Sequence, residues 1–355
     1  QLKTQTTSGL MLSPGYGGGT ANIEYQALTG LSMANYSSTL SIAYQQLVPS
    51  LKWAPTVNQL WNKAYDSKNA STAFHAYNRN MYFRDLNYKK FGFSKFYATD
   101  GKPKLTNLST IDSAWYASDA SFYSDILKAV SSSDKNKFYQ VVTMQNHMPY
   151  ENFYADNRFK ELDTSQNLGD DERNNIDTYT QGLNYTDQST IEFLNKLNEI
   201  DRPITVVFYG DHLPGIYSTA YSDKNNVLGL HETDYFIWSN NASKAAGTKL
   251  DDKSSAYTSS NYFSAQLAQH LNAKVSPYLA FLTEMHQAIP ALSVPSAAGG
   301  NIDEPVYLDA SGNRIRKKNL SKTAKSMLHD YLLIQYDMSI GKNYLKDTSF
   351  VDLPK

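Results

Sequence analysis

Cysteine is absent from this chain. That removes disulfides, thiolate metal sites and a cysteine nucleophile. No apolar run approaches the ~18 residues a membrane-spanning helix requires. A basic excess is also lacking. The formal net charge is −1 over 355 residues, whereas a protein that grips a phosphate backbone carries a clear surplus of Lys and Arg. Nucleic acid is therefore not an expected partner. Residues 1–9 are polar and do not read as the apolar core of a signal peptide.

What is present is a globular composition. Apolar residues make up 41% and charged residues 19% of the chain, enough apolar material to pack one large α/β domain or two modest ones. Tyrosine is frequent, at 27 residues, and Ser, Thr and Asn are abundant. This balance points to an exterior protein that handles polar or sugar-like ligands.

Helical periodicity begins at Ala21, with Ile23, Ala27, Leu28 and Leu31 on one face and Thr29-Gly30 as a stop signal. Further helices are expected over 57–65 and 179–200, the second burying Leu183, Phe193, Leu194 and Leu197. Apolar, β-rich runs at 71–75, 138–144, 204–209 and 235–239 read as strands. Strands alternating with helices predict an α/β fold: a mainly parallel central sheet with helices on both faces. Ser296 to Gly300 reads as a linker. Beyond it, Val306-Tyr307-Leu308, a turn, and Arg314-Ile315-Arg316 form a hairpin, and a helix follows over 320–335. The expected division is a catalytic domain over 1–295 and a small C-terminal α+β subdomain over 296–355.

Four segments carry chemistry. Gly17-Gly18-Gly19-Thr20 places a hydroxyl at the mouth of a helix, where unpaired N–H groups and the dipole favour phosphate. The alternative is a glycine turn with Thr20 as N-cap. It is not a P-loop, since no Lys follows. Asp211 and His212 stand directly after a buried strand and could ligate a divalent cation; the alternative is a polar turn. His75 and Arg84 bracket Tyr77 and Tyr82. Arg offers a planar fork for phosphate oxygens, and the tyrosines could line a glycerol- or sugar-sized pocket; otherwise this is a surface loop. His147, in Gln145-Asn146-His147, could give a proton to a leaving oxygen, or be structural.

These segments, in this order, resemble the lipoteichoic acid synthase (phosphoglycerol transferase) family, on the sulfatase-like branch of the alkaline phosphatase superfamily. The landmarks are GGGTANIEYQALTG, FHAYNRNMYFRDLNYKKFGF, TMQNHMPY, FYGDHLPG and HETDYFIWSN, with LHDYLLIQYDMSIGKNYL near the end. The resemblance implies a metal-dependent transfer of glycerophosphate from phosphatidylglycerol to a growing lipoteichoic acid-type polymer through a covalent threonine. Thr20 falls on the nucleophile and, with Asp211 and His212, on the metal ligands. His75, Arg84 and His147 fall on substrate-contacting positions. Tyr82 stands where relatives often carry Trp, and Tyr77 where some carry an acid.

The cation implied is Mn²⁺, with Mg²⁺ or Zn²⁺ as alternatives for an oxygen and imidazole set. The location implied is the extracellular face of the cell membrane, reached through an upstream anchor outside this chain. Relatives carry a further Glu ligand after a first strand. The 19 residues before Thr20 contain no Asp or Glu, so that strand and ligand are expected to be missing and metal binding to be weak, with Glu24 the first residue to examine as a replacement. The other readings are a phosphodiesterase or primase on the same core, or a non-catalytic wall-polymer binding module.

Overall fold

The computed structural model describes residues 6–65, 69–160, 167–247, 257–294 and 304–354. In chain order they form β1 (Thr7–Leu12), α1 (Thr20–Thr29), α2 (Val57–Ala64), β2 (Ser71–His75), α3 (Arg84–Lys90), β3 (Lys95–Tyr97), α4 (Asp119–Ser131), β4 (Phe138–Val142), α5 (Asp170–Asn198) and β5 (Thr205–Tyr209). Then follow β6 (Glu232–Ser239), β7 (Tyr257–Thr258), α6 (Phe263–His270), α7 (Pro277–Ala288), β8 (Ala291–Ser293), β9 (Val306–Leu308), β10 (Arg314–Ile315) and α8 (Lys322–Ser339), with short helical turns between them. The fold is α/β. The chain divides into two compact units: Gln1–Leu60 with Arg202–Leu213 and Asp223–Lys355, and Trp61–Asp201 with Pro214–Ser222.

The first unit is built on a sheet of order β5-β6-β1-β7. β6 is antiparallel to both neighbours, with Tyr209 opposite Tyr235 and Leu12 opposite Glu232, and β1 is parallel to β7. Met11 of β1, Ile23 of α1, Tyr235 of β6 and Phe263 of α6 close one buried cluster. Each such side chain taken fully out of water contributes roughly 1.5–3 kcal/mol. This cluster holds α1 against the sheet and so fixes the end at which α1 begins.

A strand therefore does precede Thr20. β1, TSGLML, carries no carboxylate and runs straight into the glycine turn.

The second unit is organised by a wholly parallel sheet, β3-β2-β4, with β2 in the centre. All five residues of β2 are buried. Phe74 stacks on Tyr97 at 5.0 Å and meets Tyr139 at 5.7 Å, so aromatic side chains from all three strands lock the register. Tyr123 of α4 stacks on Phe193 of α5. Leu194 and Leu197 are buried as expected, but Leu183 is exposed. The first half of α5 instead buries Thr178, Gln181 and Gly182, where the Gln145 amide donates to the Gly182 carbonyl at 3.0 Å. The buried face thus turns around the helix along its length.

The division expected at 295/296 does not match the contacts. The linker 296–300 lies outside the described residues. The boundary itself would cut the β8-β9-β10 sheet, in which Ala291 pairs with Leu308. Leu12 of β1 shares a buried cluster with Ala291, Val306 and Leu308. The Tyr331 hydroxyl of α8 donates to the Gly30 carbonyl at 2.5 Å. The Gln335 amide exchanges two hydrogen bonds with the Ser32 backbone, at 2.8 and 3.0 Å. The C-terminal segment thus completes the first unit's core, beside Leu228 and Tyr257 at Leu12 and Tyr278 at the end of α1. A chain ending at Val294 is accordingly expected to lose the cooperative melting of the first unit, since it strips partners from β8, Leu12 and Gly30 together. Circular dichroism melting of the shortened and full chains checks this; an independent appendage would leave the transition in place.

Candidate active site

Thr20 is the first residue of α1, and Gly19 is its N-cap with φ 107°, a left-handed conformation that a β-carbon disfavours. Gly15 cannot carry a side chain either: a β-carbon there would lie 2.4 Å from the Gly18 carbonyl oxygen and 3.3 Å from His212 Cβ. The glycines let the turn fold tightly enough to present Thr20 beside the strand that precedes Asp211. Thr20 is therefore not the N-cap, and its hydroxyl is not spent on a helix N–H.

That hydroxyl donates instead to Asp211 Oδ2 and lies 3.4 Å from His212 Nε2. His212 Nε2 and Asp211 Oδ2 are 3.4 Å apart. Two oxygens and one imidazole nitrogen thus converge at mutual distances a single cation could span with bonds of roughly 2.0–2.2 Å. The backbone sets this up. Leu213 O accepts from Gly17 N at 2.8 Å and from His212 Nδ1 at 2.9 Å, which turns Nε2 toward Thr20. Ser13, which the sequence reading missed, donates from its hydroxyl to the Asp211 carbonyl at 2.6 Å and accepts from Gly15 N at 3.0 Å. It ties the strand end of β1 to the turn after β5. The Ser-Pro pair before the glycines was its only signal.

The donor set fits a divalent cation: one carboxylate, one imidazole whose other nitrogen is held by a backbone carbonyl, and one hydroxyl. Among the described residues no group of three or more His, Asp or Glu assembles. Glu24 is buried in α1, where it accepts from the Tyr44 hydroxyl at 3.4 Å.

The second unit gathers the other candidates. His75 ends β2 and is buried. Its Nδ1 donates to the Val142 carbonyl at 3.2 Å, and its Nε2 lies 3.2 Å from Arg84 Nη1. A guanidinium only donates and a carbonyl only accepts, so His75 is neutral. Burial first, then the Arg84 charge, hold its pKa well below the ordinary histidine value. Arg84 is fully buried at the start of α3, with its guanidinium 5.2 Å from the Tyr82 ring centre. Tyr82 and Phe83 are both left-handed, φ 56° and 57°, a backbone cost of order 1–3 kcal/mol each, borne where the chain turns Arg84 inward.

Tyr77 meets His75 edge-on at 6.2 Å and Tyr116 at 5.8 Å. Tyr116 in turn meets His147 at 5.3 Å. His147, Tyr77, His75 and Arg84 are thus linked through Tyr116, a residue with no motif around it and no signal in the sequence. The segment carrying His147 is anchored from behind. Thr186 accepts from the side-chain amides of Gln145 at 2.9 Å and Asn146 at 2.8 Å, and donates to Asp119 Oδ2 at 2.6 Å. Burial pushes the Asp119 carboxyl up to about 6, against the Thr186 hydrogen bond.

Residues 1–273 match the sulfatase family, and the chain belongs to it. The phosphoglycerol transferase GacH of Streptococcus pyogenes, solved with sn-glycerol-1-phosphate, is 33% identical over 99% of this chain and 82% of its own, with a TM-score of 0.79. The lipoteichoic acid synthase LtaP of Listeria monocytogenes shares the fold at 16% identity, over 100% of this chain and 86% of its own, with a TM-score of 0.60. A putative cyclic β-1,2-glucan modification protein of Rhizobium meliloti is 28% identical over 96% of this chain. The chain spans about half of that relative's length, 51%. The family resemblance carried by the motifs is borne out.

The His75 arrangement has a pH signature. A depressed pKa means that the unfolded chain takes the proton first, so stability is lost as pH falls below about 6.5. Asp119, with its raised pKa, acts in the opposite direction over roughly pH 4 to 6. His75→Gln, which keeps an acceptor for Arg84, is expected to remove the His75 contribution alone. Urea unfolding of both proteins at about pH 7 and pH 5 should show a smaller acid loss in the variant; equal losses would mean His75 is not held neutral.

Proposed function

We propose that this chain is the catalytic domain of a metal-dependent phosphoglycerol transferase, with Thr20 as the nucleophile that carries glycerophosphate between phosphatidylglycerol and a glycerol hydroxyl on a lipoteichoic acid-type polymer. The observation that carries the reading is the Thr20 hydroxyl. It begins a helix without capping it, and it is shared between Asp211 Oδ2 and the neighbourhood of His212 Nε2. A turn kept for structure alone would spend that hydroxyl on a backbone N–H. A purely binding module would have no use for a hydroxyl so placed. The likeness to GacH, solved with a glycerol phosphate, supports the substrate class.

Asp211, His212 and Thr20 are the residues that would hold the cation, Mn²⁺ in the family, with Mg²⁺ or Zn²⁺ equally suited to these donors. When bound, a divalent cation there supplies positive charge that makes the threonine hydroxyl easier to ionise and offsets charge on a phosphoryl group.

The hydroxyl proton of Thr20 leaves toward Asp211 Oδ2, the acceptor it already has. Oγ1 attacks phosphorus, the bond from phosphorus to the diacylglycerol oxygen breaks, and that oxygen takes a proton; His147 is the candidate donor. Glycerophosphoryl-threonine remains. A glycerol hydroxyl then attacks the same phosphorus and gives its proton to His147, which lost one in the first step; the bond to Thr20 breaks, and Oγ1 takes back the proton held by Asp211 Oδ2. Arg84, aimed by neutral His75, is the candidate for the phosphoryl oxygens. Tyr77 and Tyr82 are the candidates for the glycerol moiety. The partners in this reading are the phosphatidylglycerol head group and the polymer end, at the outer face of a membrane to which an upstream segment would tether the domain.

Thr20→Ala is expected to lower diacylglycerol release by at least about 10³-fold, as loss of a nucleophile does, while shifting stability only by the worth of one hydrogen bond, about 0.5–1.5 kcal/mol. Thr20→Ser keeps the attacking oxygen and part of the rate. An alanine variant that still turns over would remove Thr20 from the mechanism.

Metal binding is read separately. Mn²⁺ added to the wild-type chain is expected to raise its melting temperature by mass action on the folded state, and Asp211→Asn with His212→Gln to abolish the rise. A rise that survives both substitutions would place the cation elsewhere.

A further inference from the structure

Helix α8 buries one face, including Leu328, Tyr331, Gln335 and Met338, in the core of the first unit. Its other face is unusual for a soluble surface. Leu332, Leu333 and Tyr336, continued past the helix end by Ile340 and Tyr344, are between 41% and 69% exposed. At 100° per residue, Leu332, Leu333, Tyr336 and Ile340 fall within one quadrant or slightly more of the helix. Lys322, Lys325 and His329, also exposed, fall in the same sector about one to three turns earlier.

Scattered surface leucines need no explanation; a continuous apolar stripe does. The charge around it is equally lopsided. From Arg314 to Lys346 the sequence has eight Lys or Arg residues against two carboxylates, Asp330 and Asp337, in a chain whose net charge is −1. Asp337 is partly spent inside the fold, accepting from the backbone N–H groups of Tyr344 and Leu345 at 2.8 and 2.9 Å.

We propose that this face of α8, with the basic residues that precede and follow it, docks the domain on the surface of a bilayer rich in anionic lipid. Two features select that occupant. The basic surplus is complementary to an anionic surface and attracts it across about a Debye length. The apolar residues are of the kind that enter the head-group boundary: Leu and Ile for the acyl edge, Tyr for the interface. A soluble polyanion would be met by the lysines and would have no use for Leu333 or Ile340. A second copy of this chain would bring the same basic surplus against itself. No helix among the described residues is long and apolar enough to cross a membrane, so the contact is one that lies on the surface. The proposal does not rest on the Thr20 chemistry, since it concerns only where the first unit sits.

The test is flotation of the 355-residue chain with vesicles of mixed phosphatidylglycerol and phosphatidylcholine, and with phosphatidylcholine alone. The wild-type chain binds the mixed vesicles and not the neutral ones, and raising salt from about 0.1 M to about 1 M weakens the binding. Lys322→Glu with Lys325→Glu lowers the affinity at least about tenfold. Leu333→Gln with Ile340→Gln lowers it as well. Lys52→Glu with Lys128→Glu, an equal change in net charge at other exposed sites, leaves it unchanged.

Melting curves of all the variants stay at the wild-type position, since none of the substituted side chains is buried. Four results overturn the proposal. One is equal binding to both vesicle types. The second is an equal loss in the Lys52 and Lys128 variant. The third is undiminished binding in the Leu333 and Ile340 variant, which would mark a surface for a soluble polyanion such as polyphosphate. The last is a concentration-dependent dimer in sedimentation equilibrium that the Leu333 and Ile340 variant abolishes, with vesicles left unbound. Vesicle binding is measured without turnover, so failure here leaves the transferase reading standing, and an inactive Thr20 variant leaves this one.

Discussion

The candidate active site hangs on one backbone carbonyl. Leu213 O accepts from Gly17 N and from His212 Nδ1, so a single acceptor pins the glycine turn and orients the adjacent imidazole. β1 and β5 are not hydrogen-bonded to each other; β6 lies between them. The distance between Thr20 and Asp211 is therefore set by two successive antiparallel registers, Leu12 against Glu232 and Tyr209 against Tyr235. A one-residue slip in either would turn every side chain to the other face and carry the two turns apart. The buried cluster of Met11, Ile23, Tyr235 and Phe263 holds that register by packing.

The two units solve the problem of buried charge differently. In the first, Asp211 and His212 are only partly buried, and a hydroxyl lies between them. In the second, Arg84 is fully buried against an imidazole kept neutral by burial and by the Arg84 charge itself. A neutral acceptor directs the guanidinium by hydrogen bonding and adds no opposing charge of its own, and a guanidinium so directed has the fork geometry that suits an anionic ligand. The surrounding rings, from Tyr82 to Tyr116, lower the local polarity and strengthen whatever charge the guanidinium meets.

Support from behind matters as much as the named residues. Ser13 holds the Asp211 carbonyl, Thr186 holds Gln145 and Asn146 beside His147, and α8 holds the end of α1 through Tyr331 and Gln335. The last of these explains why the C-terminal segment cannot be set aside as an appendage. The same helix that caps α1 on one side carries the exposed apolar and basic face on the other.

Much was legible in the amino-acid order. The α/β character followed from the alternation of β-rich runs with helical periodicity, and the strand 71–75 has the same ends in both descriptions. The functional segments stood out because glycines, an Asp-His pair and an Arg among aromatics are chemically distinctive and sit just past apolar runs. Leu183 was misassigned because helical periodicity places it beside Leu194, whereas what it faces depends on the neighbour at that height. Tyr116 had no signal at all and Ser13 only the Ser-Pro pair, since an aromatic or a serine gains meaning from what lies opposite it. The sequence by itself determined local periodicity, turn chemistry and the inventory of reactive groups, because these depend on near neighbours. Tertiary structure alone decided that Thr20 gives its hydroxyl to Asp211 rather than to its own helix, that His75 is neutral beside Arg84, and that the C-terminal hairpin belongs to the core of β1. Each of those depends on contacts between residues from nine to nearly three hundred positions apart, which only the folded registers bring together.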